Sequence, residues 1–163
     1  MEMGVSEYIN DAVRILILLD AVKERKSVKM TDSKIKLYDY YLKFPCTMLG
    51  DDIQEFNLQW NFDEYYAFFH SQPDLVRYRQ RLNYLLAKGL INIQIESNNS
   101  LFKINELGIN ALNSIDNPYK SKLTALAAIF IPVVIKFSDS KIGHIISEKS
   151  KMYLKTGGVK HES

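Results

Sequence analysis

Residues 73–104, PDLVRYRQRLNYLLAKGLINIQIESNNSLFKI, read as a helix, a sharp stop and a two-stranded hairpin, and no other stretch restricts the fold as much. Successive residues of a helix lie about 100° apart. Leu75, Tyr78, Leu82, Leu85 and Leu86 therefore share an apolar face, while Arg77, Arg81, Tyr84 and Lys88 form a separate, basic one. Pro73 suits a first helical turn, where its missing N–H costs nothing, and Ser71 stands where a capping hydroxyl is needed. Gly89 ends the helix because glycine enters the left-handed conformation cheaply, and Leu90 supplies the apolar contact of such a stop. Ile91, Ile93 and Ile95 alternate with Asn92 and Gln94, which predicts a half-buried strand. Ser97-Asn98-Asn99-Ser100 then turns the chain into a second strand over Leu101, Phe102, Lys103 and Ile104.

Helix, hairpin and then a helix opening at Asn105 is the order of a winged-helix domain. The expected class is mainly α with a small β-hairpin wing (α+β), a modified winged helix-turn-helix with additional N- and C-terminal helices. DNA-binding winged helices lay the helix before the wing in a major groove. Arg77, Arg81, Tyr84 and Lys88 are accordingly the candidate contacts to double-stranded DNA. Gln80 lies only at the margin of this stripe and no Asn or Gln shares its centre, so the contact expected is with phosphates and independent of sequence. The plainer reading is a solvated surface, since about a quarter of residues in an average protein are charged. Arg79, at the edge of the apolar face, is expected to reach a carboxylate instead.

Residues 6–24 are helical by period, with Ile9, Ala12, Val13, Leu16 and Leu19 on one stripe, and residues 15–19 are apolar all round. Such a helix is the centre of its domain or is covered by a second chain. Asp32 or Ser33 can cap a second helix containing Ile35, Leu37, Tyr38, Tyr41 and Leu42, which ends before Pro45. Residues 45–73 are the least regular stretch, with Asp51, Asp52, Glu55, Asp63 and Glu64 but no Lys or Arg, and with seven aromatics that include Trp60, Phe62, Tyr65 and Tyr66. An ordinary helix-turn-helix uses about three or four linking residues, so this stretch reads as an insertion. Acidic residues interleaved with aromatics repel DNA and suit a protein interface. Trp60 is the expected exposed anchor, although the same aromatics would also serve beneath the domain.

After the hairpin, Asn105 caps a short helix reaching Ile115, with Leu107, Ala111, Leu112 and Ile115 inward. Asn117-Pro118 opens another, carrying Leu123, Leu126, Ile129, Phe130, Val133, Val134 and Phe137, with a bend expected at Pro132. Its apolarity exceeds what a winged helix needs: the helix is expected to pack against the one holding residues 15–19 or to be covered by a partner, and Leu123, Leu126 and Phe130 are the candidate partner contacts. A last amphipathic segment spans residues 140–154. The expected division is a winged-helix domain over 1–116 with the insertion at 45–73, a helical extension over 117–155 and a disordered tail over 156–163.

At 163 residues the chain is long enough for a proper core, and its net charge of +2 does not by itself mark a nucleic-acid protein. The charge is unevenly spread: residues 1–73 hold twelve acidic and eight basic side chains, residues 74–163 seven and thirteen. Cys46 is alone, so no internal disulfide or thiolate cluster is expected, and a reducing cytoplasm is the natural setting. No secretory leader is expected, and the longest apolar run, 125–135, falls short of the ~20 residues of a bilayer span. His70, His144 and His161 form no ligand pair at helical spacing, and no glycine-rich phosphate loop occurs. The expectation is therefore no catalytic residue, no metal and no cofactor.

Several stretches together resemble the small middle component of bacterial ABC-three-component systems and the equivalent small subunit of Lamassu-type, SMC-like defence complexes. They are the leucine-rich helix over 14–21, Asp39-Tyr40-Tyr41-Leu42-Lys43-Phe44-Pro45, Tyr78-Arg79 leading to Leu85-Leu86-Ala87-Lys88-Gly89-Leu90, Glu106-Leu107-Gly108, and residues 119–128. Two departures stand out. Asn105 occupies a position that is Thr in many winged helices, and residues 119–128 lack the tryptophan of the family's later helix. The resemblance implies a non-catalytic subunit joining a coiled-coil SMC-like ABC ATPase to an effector, often a nuclease, in defence against phage or plasmids. The alternatives are a free-standing winged-helix transcription regulator and an accessory protein-interaction module without DNA contact.

Overall fold

The computed structural model describes residues 2–50 and 74–149. Its centre is α1, Glu2–Ala21. Ile15, Leu16, Ile17, Leu18 and Leu19 are all buried, none more than 4% exposed, so the helix is apolar all round because its own chain surrounds it. Ile9, placed on the apolar stripe from sequence, is instead half exposed near the N-terminal end.

Two helices follow. In α2, Asp32–Lys43, the cap is Thr31, one residue before those expected: its Oγ1 accepts from Lys34 N at 3.1 Å. Asp32 lies inside the first turn, where its carboxylate faces the positive end of the helix. Ile35, Tyr38, Tyr41 and Leu42 are buried as the periodicity requires. Phe44 closes α2, and Pro45 then opens a short α3, Pro45–Leu49, so the stretch read as irregular begins helically. Most of the acidic aromatic stretch, with Trp60, Phe62, Tyr65 and Tyr66, lies outside the described residues, as does the tail over 156–163.

The helix–hairpin unit consists of α4, Leu75–Ala87, β1, Ile91–Glu96, and β2, Asn99–Ile104. The strands are antiparallel in register Ile91↔Ile104 to Glu96↔Asn99. Only Ser97 and Asn98 lie between them, both left-handed (φ 50° and 67°), so the turn is tighter than the four residues expected. Then come α5, Glu106–Asn113, and α6, Pro118–Val134, capped as expected by Asn105 and Asn117. The bend expected at Pro132 is displaced: α6 runs through the proline, and the turn of 116° comes in the break before α7, Asp139–Lys149. Ser138 makes that break, its hydroxyl accepting from Lys141 N at 3.1 Å to start the new helix.

The core lies around α1, which touches α2, α4, α5, α6 and β2. On α6, Leu123, Leu126 and Phe130 are at most 3% exposed. Tyr41 stacks on Phe130 with ring centroids 4.9 Å apart, and Tyr38 meets it edge-on. Ile142 brings α7 back onto the same cluster. Among the described residues no single helix is long and apolar enough to cross a bilayer.

Candidate interaction surface and its charged support

The basic helix α4 is positioned at both ends by local chemistry. Its cap is Asp74, whose carboxylate accepts from Val76 N at 2.9 Å, one residue beyond the proline expected in the first turn; Ser71 and Pro73 lie outside the described residues. At the other end Gly89 has φ 72°, with Leu90 N bonded to Leu85 O and Gly89 N to Leu86 O. This is the paired stop that glycine permits, and Leu90 packs against the core as anticipated.

A glycine of a different kind fixes the entry into α5. A Cβ on Gly108 would lie 2.1 Å from Leu90 O and 2.7 Å from Ile104 Cγ1. The first turn of α5 is therefore pressed directly against the end of α4 and the end of β2. Asn105 ties α5 to the stop of α4 and to β1: Oδ1 accepts from Gly108 N at 2.9 Å, and Nδ2 donates to Gly89 O at 2.8 Å and to Asn92 Oδ1 at 3.1 Å. Threonine could cap but has no amide to make the last two bonds, which accounts physically for asparagine here.

The stripe Arg77, Arg81, Tyr84 and Lys88 divides into an inward and an outward pair. Arg77 Nε donates to Asp11 Oδ2 at 2.7 Å, and its Nη2 reaches Asp11 Oδ1 at 3.0 Å and Glu7 Oε1 at 2.7 Å. Arg81 Nε donates to Asp11 Oδ2 at 3.0 Å, and its guanidinium stacks 3.7 Å from the centroid of the Tyr8 ring. The Arg81 side chain is only 12% exposed. These two arginines face α1. Tyr84 and Lys88 remain at the surface, Tyr84 edge-on to Tyr8 and the Lys88 ammonium over the Tyr84 ring. Arg79 pairs with Asp32 at 2.8 Å, as its place at the edge of the apolar face predicted.

Asp11 leads further inward. It also pairs with Arg14 at 2.5 Å, and Arg14 binds Asp39 through two bonds of 2.8 and 3.2 Å. The Tyr78 hydroxyl donates to Asp39 Oδ2 at 2.7 Å. Asp39 is completely buried, and Asp11 and Arg14 nearly so. Burial alone would raise the Asp11 carboxyl, but the hydrogen bond from Arg77 and the charges of Arg14 and Arg77 hold it below its ordinary value. Burial would likewise ease a proton off Arg14, yet the Asp39 charge and hydrogen bond push it the other way. The Tyr78 phenol is pushed up by burial and by the Asp39 carboxylate, so it stays a donor. Sequence reasoning missed this network. Its visible signal was Asp11 and Arg14 three residues apart on a helix otherwise fit only for burial, where charges must be paired.

The apolar candidates are also redistributed. Leu123, Leu126 and Phe130, read as partner contacts, are covered by the chain itself, because the apolar excess of α6 is spent on α1 and α2. Leu107, expected inward, is 61% exposed. Of the three alternating isoleucines of β1 only Ile91 is buried, while Ile93 and Ile95 are 47% and 67% exposed. Among the described residues no group of three or more His, Cys, Asp or Glu side chains is gathered as metal ligands.

Among the described residues the molecule is thus mainly helical with one antiparallel hairpin, and the arginines Arg14, Arg77 and Arg81 are tied to its own carboxylates. Over residues 7–156 it matches ABC-three component (ABC-3C) system Middle Component 2, and the chain belongs to that family. Membership makes it a component of a multi-component ABC system and implies partners such as an ATPase and an effector. Comparison with curated proteins and with solved structures yields no match. Three of the segments on which the resemblance rests, those containing Arg14, Asp39 and Tyr78, meet in the buried network.

Proposed function

We propose that the chain is a non-catalytic accessory subunit of a Lamassu-type, SMC-like ABC-ATPase complex, bridging a coiled-coil ATPase to an effector, a nuclease, in defence against phage or plasmids. The observation that carries this reading is membership of a middle-component family across residues 7–156. The order α4, hairpin, α5 supports a winged-helix scaffold, and exposed apolar side chains on more than one element, Ile93 and Ile95 on β1 and Val133 on α6, are what a bridging subunit needs. In this reading Arg77 and Arg81 hold the chain together, since reaching phosphate would mean leaving Asp11. Sequence-independent contact with double-stranded DNA then falls to Tyr84 and Lys88.

The test is co-expression of the chain with the ATPase and effector encoded beside it, followed by purification through the ATPase. A stoichiometric complex of all three, from which the effector is lost when this chain is omitted, is the expected result. Retention of the effector without it would remove the bridging role.

A further inference from the structure

The hairpin has two outer edges, and among the described residues only one of them receives a backbone hydrogen bond from outside the hairpin. A two-residue turn makes Glu96 and Asn99 a hydrogen-bonded pair, so along β1 the inward-bonding residues are Glu96, Gln94 and Asn92, and the backbone groups of Ile95, Ile93 and Ile91 point away from β2. The same alternation sends the Phe102 N–H off the far side of β2, where it bonds to Met30 O at 3.0 Å. The loop before α2 therefore covers that edge at Phe102, and its Lys29 pairs with Glu96 at the end of β1. On β1, no backbone group of the described residues bonds to the outward N–H and C=O of Ile93 or Ile95. These are also the two residues whose apolar side chains are open to solvent. Open strand edges are normally blunted by charge, proline or a bulge, and residues 91–95 have none of these.

We infer that the outer edge of β1 is a docking site for an extended, uncharged segment of a partner protein, added as a third strand with apolar side chains against Ile93 and Ile95. An added strand is the protein element that can bond a row of outward strand groups together in place of water, and the isoleucines then select alternate apolar residues. Neither face of β1 between residues 91 and 95 carries a charge, so a charged segment would gain nothing there. A second copy is the poorer occupant. Two β1 strands paired about Ile93 would set each open Ile95 against a buried Ile91, and two isoleucines fall far short of the about 800 Å² per partner of a stable interface. A segment of a subunit already held in the same assembly needs far less area, because tethering raises its local concentration; in this the inference rests on the proposed bridging role.

The experiment compares amide hydrogen exchange in the isolated chain and in the complex with its ATPase and effector, together with association of three variants. In the isolated chain the amides of Ile93 and Ile95 should exchange freely while those of Asn92 and Gln94 are protected. In the complex all four should be protected. Ile95→Pro removes one outward N–H, which an edge strand tolerates, and the double change Ile93→Lys/Ile95→Lys charges the edge. Each should weaken association with one subunit at least tenfold, while Gln94→Lys, on the opposite face, should stay within twofold of wild type. Should Ile95→Pro disturb the hairpin, the lysine pair decides the matter. Assembly with the Ile93 and Ile95 amides still unprotected, or unaffected by the lysine pair, overturns the docking site alone. Failure of the wild-type chain to join either subunit removes the proposed function and this inference with it. Concentration-dependent protection in the isolated chain assigns the edge to a second copy and overturns the partner segment.

Discussion

The central helix α1 is buried by two different kinds of chemistry. Residues 15–19 are enclosed by apolar side chains, with Leu126 and Phe130 of α6 in the same cluster. One turn earlier Asp11 and Arg14 are enclosed almost as completely, but by Asp39, Tyr78, Arg77 and Arg81. Apolar burial is non-directional and tolerates sliding, whereas a guanidinium bound at two points by one carboxylate accepts a single relative placement of two helices. The apolar half of α1 supplies cohesion, and the charged half sets where α2 and α4 sit on it.

That contrast is broken most directly on the apolar side. Leu126 is wholly buried. Leu126→Asp would place a carboxylate there without a partner and should cost about 4 kcal/mol or more, measured by urea unfolding. A soluble variant with an unchanged unfolding midpoint would mean that α6 does not hold α1 from within. On the charged side, Asp39→Asn keeps the shape but leaves Arg14 without one of its two buried anions. Breaking such a pair from one side should cost about 3 kcal/mol, with the near-ultraviolet signal of Tyr78 altered. A near-neutral Asp39→Asn would reduce the network to decoration around an apolar core.

The two halves also differ in how far they could be read from the sequence. An apolar run such as 15–19 announces burial by itself, and caps such as Asn105 and Asn117 or a stop such as Gly89 are local signals that need only a few neighbours. The fate of Arg77 depends on Asp11, sixty-six residues away. A charge on a helix face looks the same in sequence whether it meets water, phosphate or a carboxylate, so the basic stripe was visible but its direction was not. The isoleucines of β1 failed for a related reason: alternation identifies a strand, but where the core ends along it depends on how far the hairpin projects beyond α1. Exposure of Ile93, Ile95 and Leu107 had no local signal.

Between the buried network and solvent stands Arg77, with a side chain 31% exposed. Arg77→Ala should cost about 1 kcal/mol at neutral pH, because one ion pair is at the rim and Arg14 and Arg81 still serve Asp11. The pH dependence is more diagnostic. A carboxyl held below its ordinary value of 3.8 contributes stability that is fully present above that pH and is lost as pH falls through its folded value. Removing Arg77 takes away the strongest of the influences that lower it, so acid unfolding should begin at a higher pH in the variant. Superimposable acid limbs would separate Arg77 from Asp11 energetically. A reduced salt slope of DNA binding by the assembled complex, with stability intact, would return Arg77 to the phosphates.

An effect as small as that of Arg77 is expected for Asn105→Thr, where a single neutral side chain does on a small scale what the network does for the large helices. Its oxygen caps α5 through Gly108 N, and its amide reaches Gly89 O and Asn92 Oδ1. Asn105→Thr keeps a capping oxygen and discards the amide, leaving Gly89 O partly buried without that donor. The expected loss is about 1 kcal/mol. Asn105→Ala discards the cap as well and should lose roughly 1 kcal/mol more. Urea unfolding of the three proteins orders them wild type, Thr, Ala. If Thr matches wild type and only Ala falls, the capping oxygen alone positions α5, and the amide bonds to the stop of α4 and to β1 result from that placement without contributing to it.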